Sequence, residues 1–270
     1  MFNIGVNRRQ GKWALVTGAS AGIGLAFAEK LAAEGMNLVL TARRAERLEQ
    51  IATRLRESRD ISIEICATDL SHEQGPAAVF QFTESKGIAV DLLVNNAGVG
   101  GYGEFRTSDL RRQLDMVRLN CAAVVHLTHL YLPGMVARNR GEIIITASTA
   151  SFQPTPYIDV YGASKAFDLH FAEGLAAEVA RHGIRVCALC PGPTESEFHE
   201  IAGVPEEGHR NRVPAAPVVD VGLRALDAGK TFVIPGAKNR WQIYLQRFVS
   251  RGFVTRAAER VLRPPHLRGQ

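Results

Sequence analysis

Apolar positions in this chain cluster into seven short runs, at residues 13–16, 38–41, 61–65, 90–94, 141–146, 184–189 and 231–234. Most are continuous, as in Leu92-Leu93-Val94 and Ile143-Ile144-Ile145. Continuous apolar strands are those covered on both faces, which is the condition of a parallel sheet. The third run alternates as Ile61-Ser62-Ile63-Glu64-Ile65 and reads as a half-buried strand. Between the runs the apolar period lengthens to that of a helix. It predicts helices over 25–34, 45–58, 108–137, 156–181 and 217–228, and one after Asp69 with Ser71 as its N-cap. Pro133 and Gly134 are expected to kink or shorten the 108–137 helix. Strands and helices alternating throughout predict an α/β fold, a doubly wound parallel sheet of about seven strands in a single domain. Residues 237–270 follow as a C-terminal helical extension of that domain.

Composition narrows this only slightly. With 270 residues and 46% hydrophobic content, the chain suits one such domain. A net charge of +5, spread over scattered arginines and the tail, does not point to nucleic acid. Residues 1–10 are polar with no apolar stretch behind them, so no secretory leader and a cytoplasmic location are expected. No window approaches the roughly 20 uninterrupted apolar residues of a membrane span. Cys187 and Cys190 form a C-x-x-C, but within an extended strand residues three apart face opposite sides. They read as plain buried thiols of a reduced intracellular protein. His126 and His129 lack a third ligand at useful spacing, so they are assigned to a helix surface or interface, and no metal is expected.

The candidate chemistry lies where the strands end. The first strand runs into Gly18-Ala19-Ser20-Ala21-Gly22-Ile23-Gly24 and then a helix. A Gly-rich turn in that context lets backbone approach a pyrophosphate at a helix N-terminus, although the spacing here is G-x-x-x-G-x-G rather than G-x-G-x-x-G. After the second strand stand Ala42-Arg43-Arg44. A carboxylate there would accept from a ribose 2′-hydroxyl, whereas an arginine suits a 2′-phosphate. The fourth strand ends in Asn95-Asn96-Ala97-Gly98, and the fifth leads to Ser148. On the next helix Tyr161 and Lys165 stand four apart, on one face and one turn from each other. A fixed ammonium stabilises a phenolate and makes the phenol a better acid. With a strand-end hydroxyl to hold a substrate oxygen, these three residues point to proton transfer at oxygen. Tyr157 is eight residues from Lys165, out of its reach, and is expected to line the substrate pocket.

With these motifs in this order and spacing, residues 11–236 resemble the short-chain dehydrogenase/reductase family, in its NADP-preferring subset. The resemblance implies a Rossmann-like dinucleotide-binding catalytic domain over 1–236, and an NADPH-dependent oxidoreductase acting on a carbonyl or secondary alcohol. It implies that Gly18, Ser20, Gly22, Ile23 and Gly24 surround the pyrophosphate and adenosine ribose, and that Arg43 holds the 2′-phosphate. Asp69 and Leu70 would border the adenine, and Asn96, Ala97 and Gly98 would line the cofactor cleft. Lys165 would bind the nicotinamide ribose and lower the Tyr161 pKa. Asn120 would hold a water linking Lys165 to solvent, Ser148 would orient the carbonyl, and Tyr161 would protonate it. The Pro191-Gly192 segment departs from the family pattern, placing Thr194 and Ser196 where either hydroxyl would bind the carboxamide. A non-catalytic NADP(H) sensor on the same fold is the alternative; the four residues Asn120, Ser148, Tyr161 and Lys165 weigh against it. The family further implies a homo-oligomer, dimer or tetramer; the irregular loops 100–105 and 198–217 are expected to shape the substrate pocket.

In the extension, Trp241, Tyr244, Leu245 and Phe248 recur at helical spacing with arginines between them, and a second helix is expected over 255–262 before Pro264-Pro265. Two readings stand: a helix packed on the body, the cleft or a second subunit, or a basic amphipathic helix on a membrane surface.

Overall fold

The seven apolar runs become strands, the inner five sealed on both faces and the two at the edges half buried. In the computed structural model, which describes residues 8–204 and 212–267, they are β1 (Trp13–Thr17), β2 (Asn37–Ala42), β3 (Ile63–Ala67), β4 (Val90–Asn95), β5 (Gly141–Thr146), β6 (Ile184–Leu189) and β7 (Phe232–Val233). All pair in parallel in the order β3-β2-β1-β4-β5-β6-β7. Their carboxyl ends therefore share one edge, and the order reverses between β1 and β4, where a crevice opens for ligands. The third strand lies two residues later than the alternation suggests, since its ladder with β2 begins at Leu38 opposite Ile63.

One face is covered by α1 (Gly22–Ala33), α2 (Ala45–Ser58) and α8 (Ala215–Asp227). There Phe27, Leu31, Leu48 and Leu226 pack on Val16, Leu38, Leu40 and Ile144. The other face is covered by α3 (Gly75–Ser85), α5 (Ala123–Ala137) and α6 (Asp159–Val179), whose Val79, Leu127, Met135 and Leu169 pack on Leu15, Leu93, Ile143 and Ile145. Cys187 belongs to the first core and Cys190 to the second, so the two thiols are separated by the sheet. Burial pushes the Cys187 thiol up to about 12.

Three local expectations need correction. Ser71 is not a helix cap: its N–H and hydroxyl both donate to Asp69 Oδ1, and α3 starts four residues later, after Gln74. The long 108–137 helix is two helices, α4 (Leu110–Val117) and α5, joined by a π-helical turn, Arg118–Ala122, in which the Ala123 N–H reaches back five residues to Arg118 O. Pro133 does not end α5, because it and His129, whose carbonyl it frees, are both on the solvent side. The stretch Leu110–Ala137 has the length and apolarity to cross a membrane, yet α5 packs on α3, β4 and β5. Residues 1–7 of the N-terminus, 205–211 of the 198–217 loop and 268–270 of the extension lie outside the described residues. The short helix α7 (Phe198–Ala202) opens that loop, and α9 (Ala237–Leu245) and α10 (Arg251–Leu262) form the extension.

Candidate active site

A cleft of about 560 Å³ opens along the carboxyl edge of the sheet. Its inner half is made of backbone. Gly18 and Gly22 have φ of +65° and +53°, which L side chains rarely adopt. A Cβ on Gly24 would lie 2.2 Å from Gly18 O and 2.6 Å from Asn96 Nδ2, so only glycine lets α1 start this close to β1. Thr17, a member of the motif given no role from sequence, clamps the two turns. Its hydroxyl donates to Val94 O at 3.1 Å and accepts from the N–H groups of Asn96 (2.8 Å) and Ala97 (2.9 Å). The result is a bare backbone cradle at a helix N-terminus, lined by Ser20, Ile23, Asn96, Ala97 and Gly98, which fits the pyrophosphate of a dinucleotide.

Farther along the cleft, Arg43 and Arg44 both line the wall. Arg43 is exposed, and its charge acts on Asp69. Burial pushes the Asp69 carboxyl up, but the hydrogen bonds from Ser71 and the Arg43 charge outweigh it, leaving Asp69 below the ordinary carboxylate value. Arg44 is the residue that sequence reasoning passed over. It donates to Ser20 Oγ at 3.0 Å and pairs with Glu197 at 2.8 Å, and Arg47 pairs with the same carboxylate. Leu70 completes this wall.

The reacting end is built from α6, the π-turn and the end of β5. Lys165 Nζ donates to Thr146 O at 2.7 Å and to Asp168 Oδ2 at 2.9 Å. Lys165 is 5% exposed and Asp168 not at all. Asp168 Oδ1 is buried and accepts no hydrogen bond among the described residues. The signal for Asp168 was present in the sequence, an acid three residues after Lys165 and so on the same helical face. Burial pushes the Lys165 ammonium down, but Asp168 and Tyr161 outweigh it and hold it charged. For Tyr161, burial pushes the phenol up, against the downward pull of Lys165 and of a hydrogen bond with Ser148. The expected lowering by Lys165 is thus real in sign but smaller than the effect of burial.

Ser148 caps the short turn Thr149–Phe152, accepting from Ala150 N at 3.1 Å, and its own N–H is held by Ser151 Oγ. Ser151 in turn donates to Lys165 O at 2.6 Å, which ties the Ser148 turn to α6. Asn120 is wholly buried in the π-turn. Its Oδ1 accepts from Val99 N, and its two amide hydrogens go to Val99 O and Ser164 Oγ, all at 3.0 Å. Those hydrogens are therefore unavailable to the water the resemblance assigns to Asn120; the free lone pair of Oδ1 and the backbone remain. Thr194 and Ser196 both line the cleft beside Pro191 and Gly192. Thr194 donates to Gly192 O, while Ser196 sits on the glycine loop, 2.6 Å from where a Gly22 Cβ would be.

Tyr157 does not line this cleft. Its φ is +66° and its hydroxyl donates to Glu259 Oε1 of α10 at 3.0 Å, so it anchors the extension. The outer walls are instead Tyr102, Leu119, Ile158, Phe198, Ile201 and Leu262. Phe198 packs against the Tyr161 ring with centroids 5.0 Å apart. Among the described residues, no group of three or more His, Cys, Asp or Glu side chains is placed to hold a metal ion.

A family model described as short chain dehydrogenase matches residues 12–203. The chain is 37% identical over 191 residues to hydroxysteroid dehydrogenase-like protein 1 of Gallus gallus, covering 70% of this chain and 57% of that protein. It is 36% identical over 198 residues to a very-long-chain 3-oxoacyl-CoA reductase of Anas platyrhynchos, covering 71% and 62%. The chain thus spans somewhat under two thirds of the length of these relatives. Among solved structures, a short-chain dehydrogenase from Sphingobium yanoikuyae in complex with NADPH superposes with a TM-score of 0.80 at 31% identity, over 88% of this chain and 93% of that one. A short chain dehydrogenase/reductase from Burkholderia phymatum in complex with NAD gives 0.80 at 26% identity, over 89% and 94%.

Proposed function

This chain belongs to the short-chain dehydrogenase family, and from that premise we propose that it is an NADPH-dependent reductase converting the carbonyl of a bulky apolar substrate to a secondary alcohol. One observation carries the reading. Tyr161, Lys165 and Ser148 meet at the inner end of a cleft whose outer walls are mainly apolar, with Tyr102, Ile158, Phe198, Ile201 and Leu262. Such a wall binds a hydrocarbon body and leaves a single polar point for its oxygen. The reductase of Anas platyrhynchos, named for very-long-chain 3-oxoacyl-CoA, favours a substrate of that kind.

The residues present fit a dinucleotide: the Gly18–Gly24 cradle takes the pyrophosphate, Arg43 and Arg44 the adenosine phosphate, and Lys165 the ribose next to the nicotinamide. Bound there, NADPH supplies the hydride. Ser148 holds the carbonyl oxygen by its hydroxyl. Tyr161 gives that oxygen its proton, and burial keeps the phenol protonated at neutral pH. Lys165 stabilises the phenolate left behind, and Asp168 and Thr146 keep the ammonium from turning away. Relatives hold NADPH or NAD. Arg43, Arg44 and the lack of a carboxylate at positions 42–44 favour NADPH here. Assembly of copies belongs to the same reading, since Val117, Val125 and Phe167 are exposed around His126 and His129 on α4 to α6.

The test is NADPH and NADH absorbance during incubation with ketones graded from small and polar to bulky and apolar. NADPH oxidation is expected, with kcat/KM rising along the series. No oxidation with any carbonyl overturns the proposal, and a preference for small polar ketones overturns its substrate class.

A further inference from the structure

Charge in this chain is divided between body and tail. Residues 237–270 hold eight Lys and Arg against one Glu, a net +7, while the whole chain is +5, so the body is mildly acidic. The one acid is paired. Glu259 accepts from Tyr157 at 3.0 Å and is clasped by Arg263 through both oxygens, at 2.7 and 3.1 Å. Lys238, Arg240, Arg247, Arg251, Arg256 and Arg260 are all exposed.

The apolar side chains of the tail are also outward. Of α9 and α10, only Ile243 and Ala258 are buried. Trp241 is 67% exposed, Leu245 58%, Phe248 86%, Phe253 56% and Val261 75%. Five large apolar groups in 21 residues would normally be packed on the body; here Ile243 alone of α9's large apolar groups enters the core, and polar contacts complete the anchoring. Tyr102 Oη donates to Leu262 O, Tyr157 to Glu259, and Gln246 meets Gln153. The surface runs up to the cleft, which Val261 and Leu262 help to line.

We propose that α9, α10 and the turn between them dock the protein on an anionic phospholipid surface, with the mouth of the cleft beside the bilayer. Charge selects the occupant. A surface of arginines interleaved with Trp, Phe and Leu, with its one acid held by Tyr157 and Arg263, complements phosphate headgroups over an apolar layer. A second copy of the same surface would instead bring like charges together. Each basic side chain near an anionic surface adds a factor of about five in binding, and the aromatic groups enter the acyl boundary. An apolar carbonyl would then enter the cleft from the lipid. That consequence rests on the reductase reading; the docking does not.

The test is co-sedimentation of the full chain with vesicles of phosphatidylcholine alone or with about 30 mol% phosphatidylserine. Two variants are compared with the wild type: Trp241→Ser with Phe248→Ser and Phe253→Ser, and Arg247→Gln with Arg251→Gln. Thermal melting checks that each is folded. Binding is expected to anionic vesicles at least tenfold above neutral ones, to weaken with salt, and to drop about tenfold or more in each folded variant. Equal binding to both vesicles, or variants that bind like the wild type, overturns the proposal. So does a triple variant that only lowers the oligomeric state, which assigns the surface to a second copy. No turnover is read, so an inactive protein that binds vesicles refutes the reductase reading alone.

Discussion

The Lys165 ammonium donates to Asp168 Oδ2 at 2.9 Å, and Asp168 is wholly buried, its second oxygen without a hydrogen-bond partner among the described residues. A carboxylate in that position opposes the effect of Lys165 on Tyr161. The charge of Asp168 raises the Tyr161 pKa, and that of Lys165 lowers it. The other titratable groups facing this pair are the Cys121 thiol from the π-turn and the Cys190 thiol beyond β6, both pushed up by burial.

Asp168→Asn removes the negative charge that raises both Tyr161 and Lys165, so the pair gives up its first proton at lower pH. The alkaline limb of the reduction profile, where the phenol and the ammonium are no longer both protonated, is expected to move to lower pH. Rate profiles of kcat/KM for reduction check this, and superimposable wild-type and variant profiles contradict it.

Arg43 and Arg44 line the same wall, and Glu197 sits on Arg44 and Arg47. A charged hydrogen bond to phosphate contributes about 1.5–3 kcal/mol. Arg43→Ala or Arg44→Ala is expected to weaken NADPH roughly 10-fold to 150-fold while NADH changes little. Glu197→Gln frees the arginines and tightens NADPH. Titration of both cofactors by fluorescence decides between this and a purely structural role for the arginines.

Gly24→Ala places a methyl 2.2 Å from Gly18 O. The strain is expected to cost about 1–3 kcal/mol and to weaken nucleotide binding. Gly174→Ala is the control, since nothing lies within 4 Å of its Cβ in the exposed interior of α6. It is expected to stabilise by about 0.5–1 kcal/mol. Urea midpoints for the two variants test the contrast.

The sheet was legible because continuous apolar runs have one use in a chain of this composition. β5 and β6 start and end where Gly141, Thr146, Ile184 and Leu189 indicate. The edge strands were blurred, since β3 is only half buried and β7 makes two pairs. The Tyr161–Lys165 pair was legible because four residues of helix fix its geometry. The π-turn at Asn120 was not, since an α-helical period through 108–137 carries no mark of one extra residue per turn. The role of Tyr157 was missed because its partner, Glu259, lies 102 residues away. For the outward aromatics of the tail two readings stand, because apolar spacing gives a face without saying what covers it.

The central claim is proton donation by Tyr161 to a carbonyl beside a bound dinucleotide, and single-turnover oxidation of NADPH by Tyr161→Phe tests it most directly. A ketone turned over by the wild type is used, and NADPH affinity is measured on both proteins. The account predicts a fall of about 10²–10⁴ in the rate with affinity unchanged within a few-fold, because the phenol oxygen acts on the substrate and Lys165 remains in place. A variant that oxidises NADPH at the wild-type rate contradicts it.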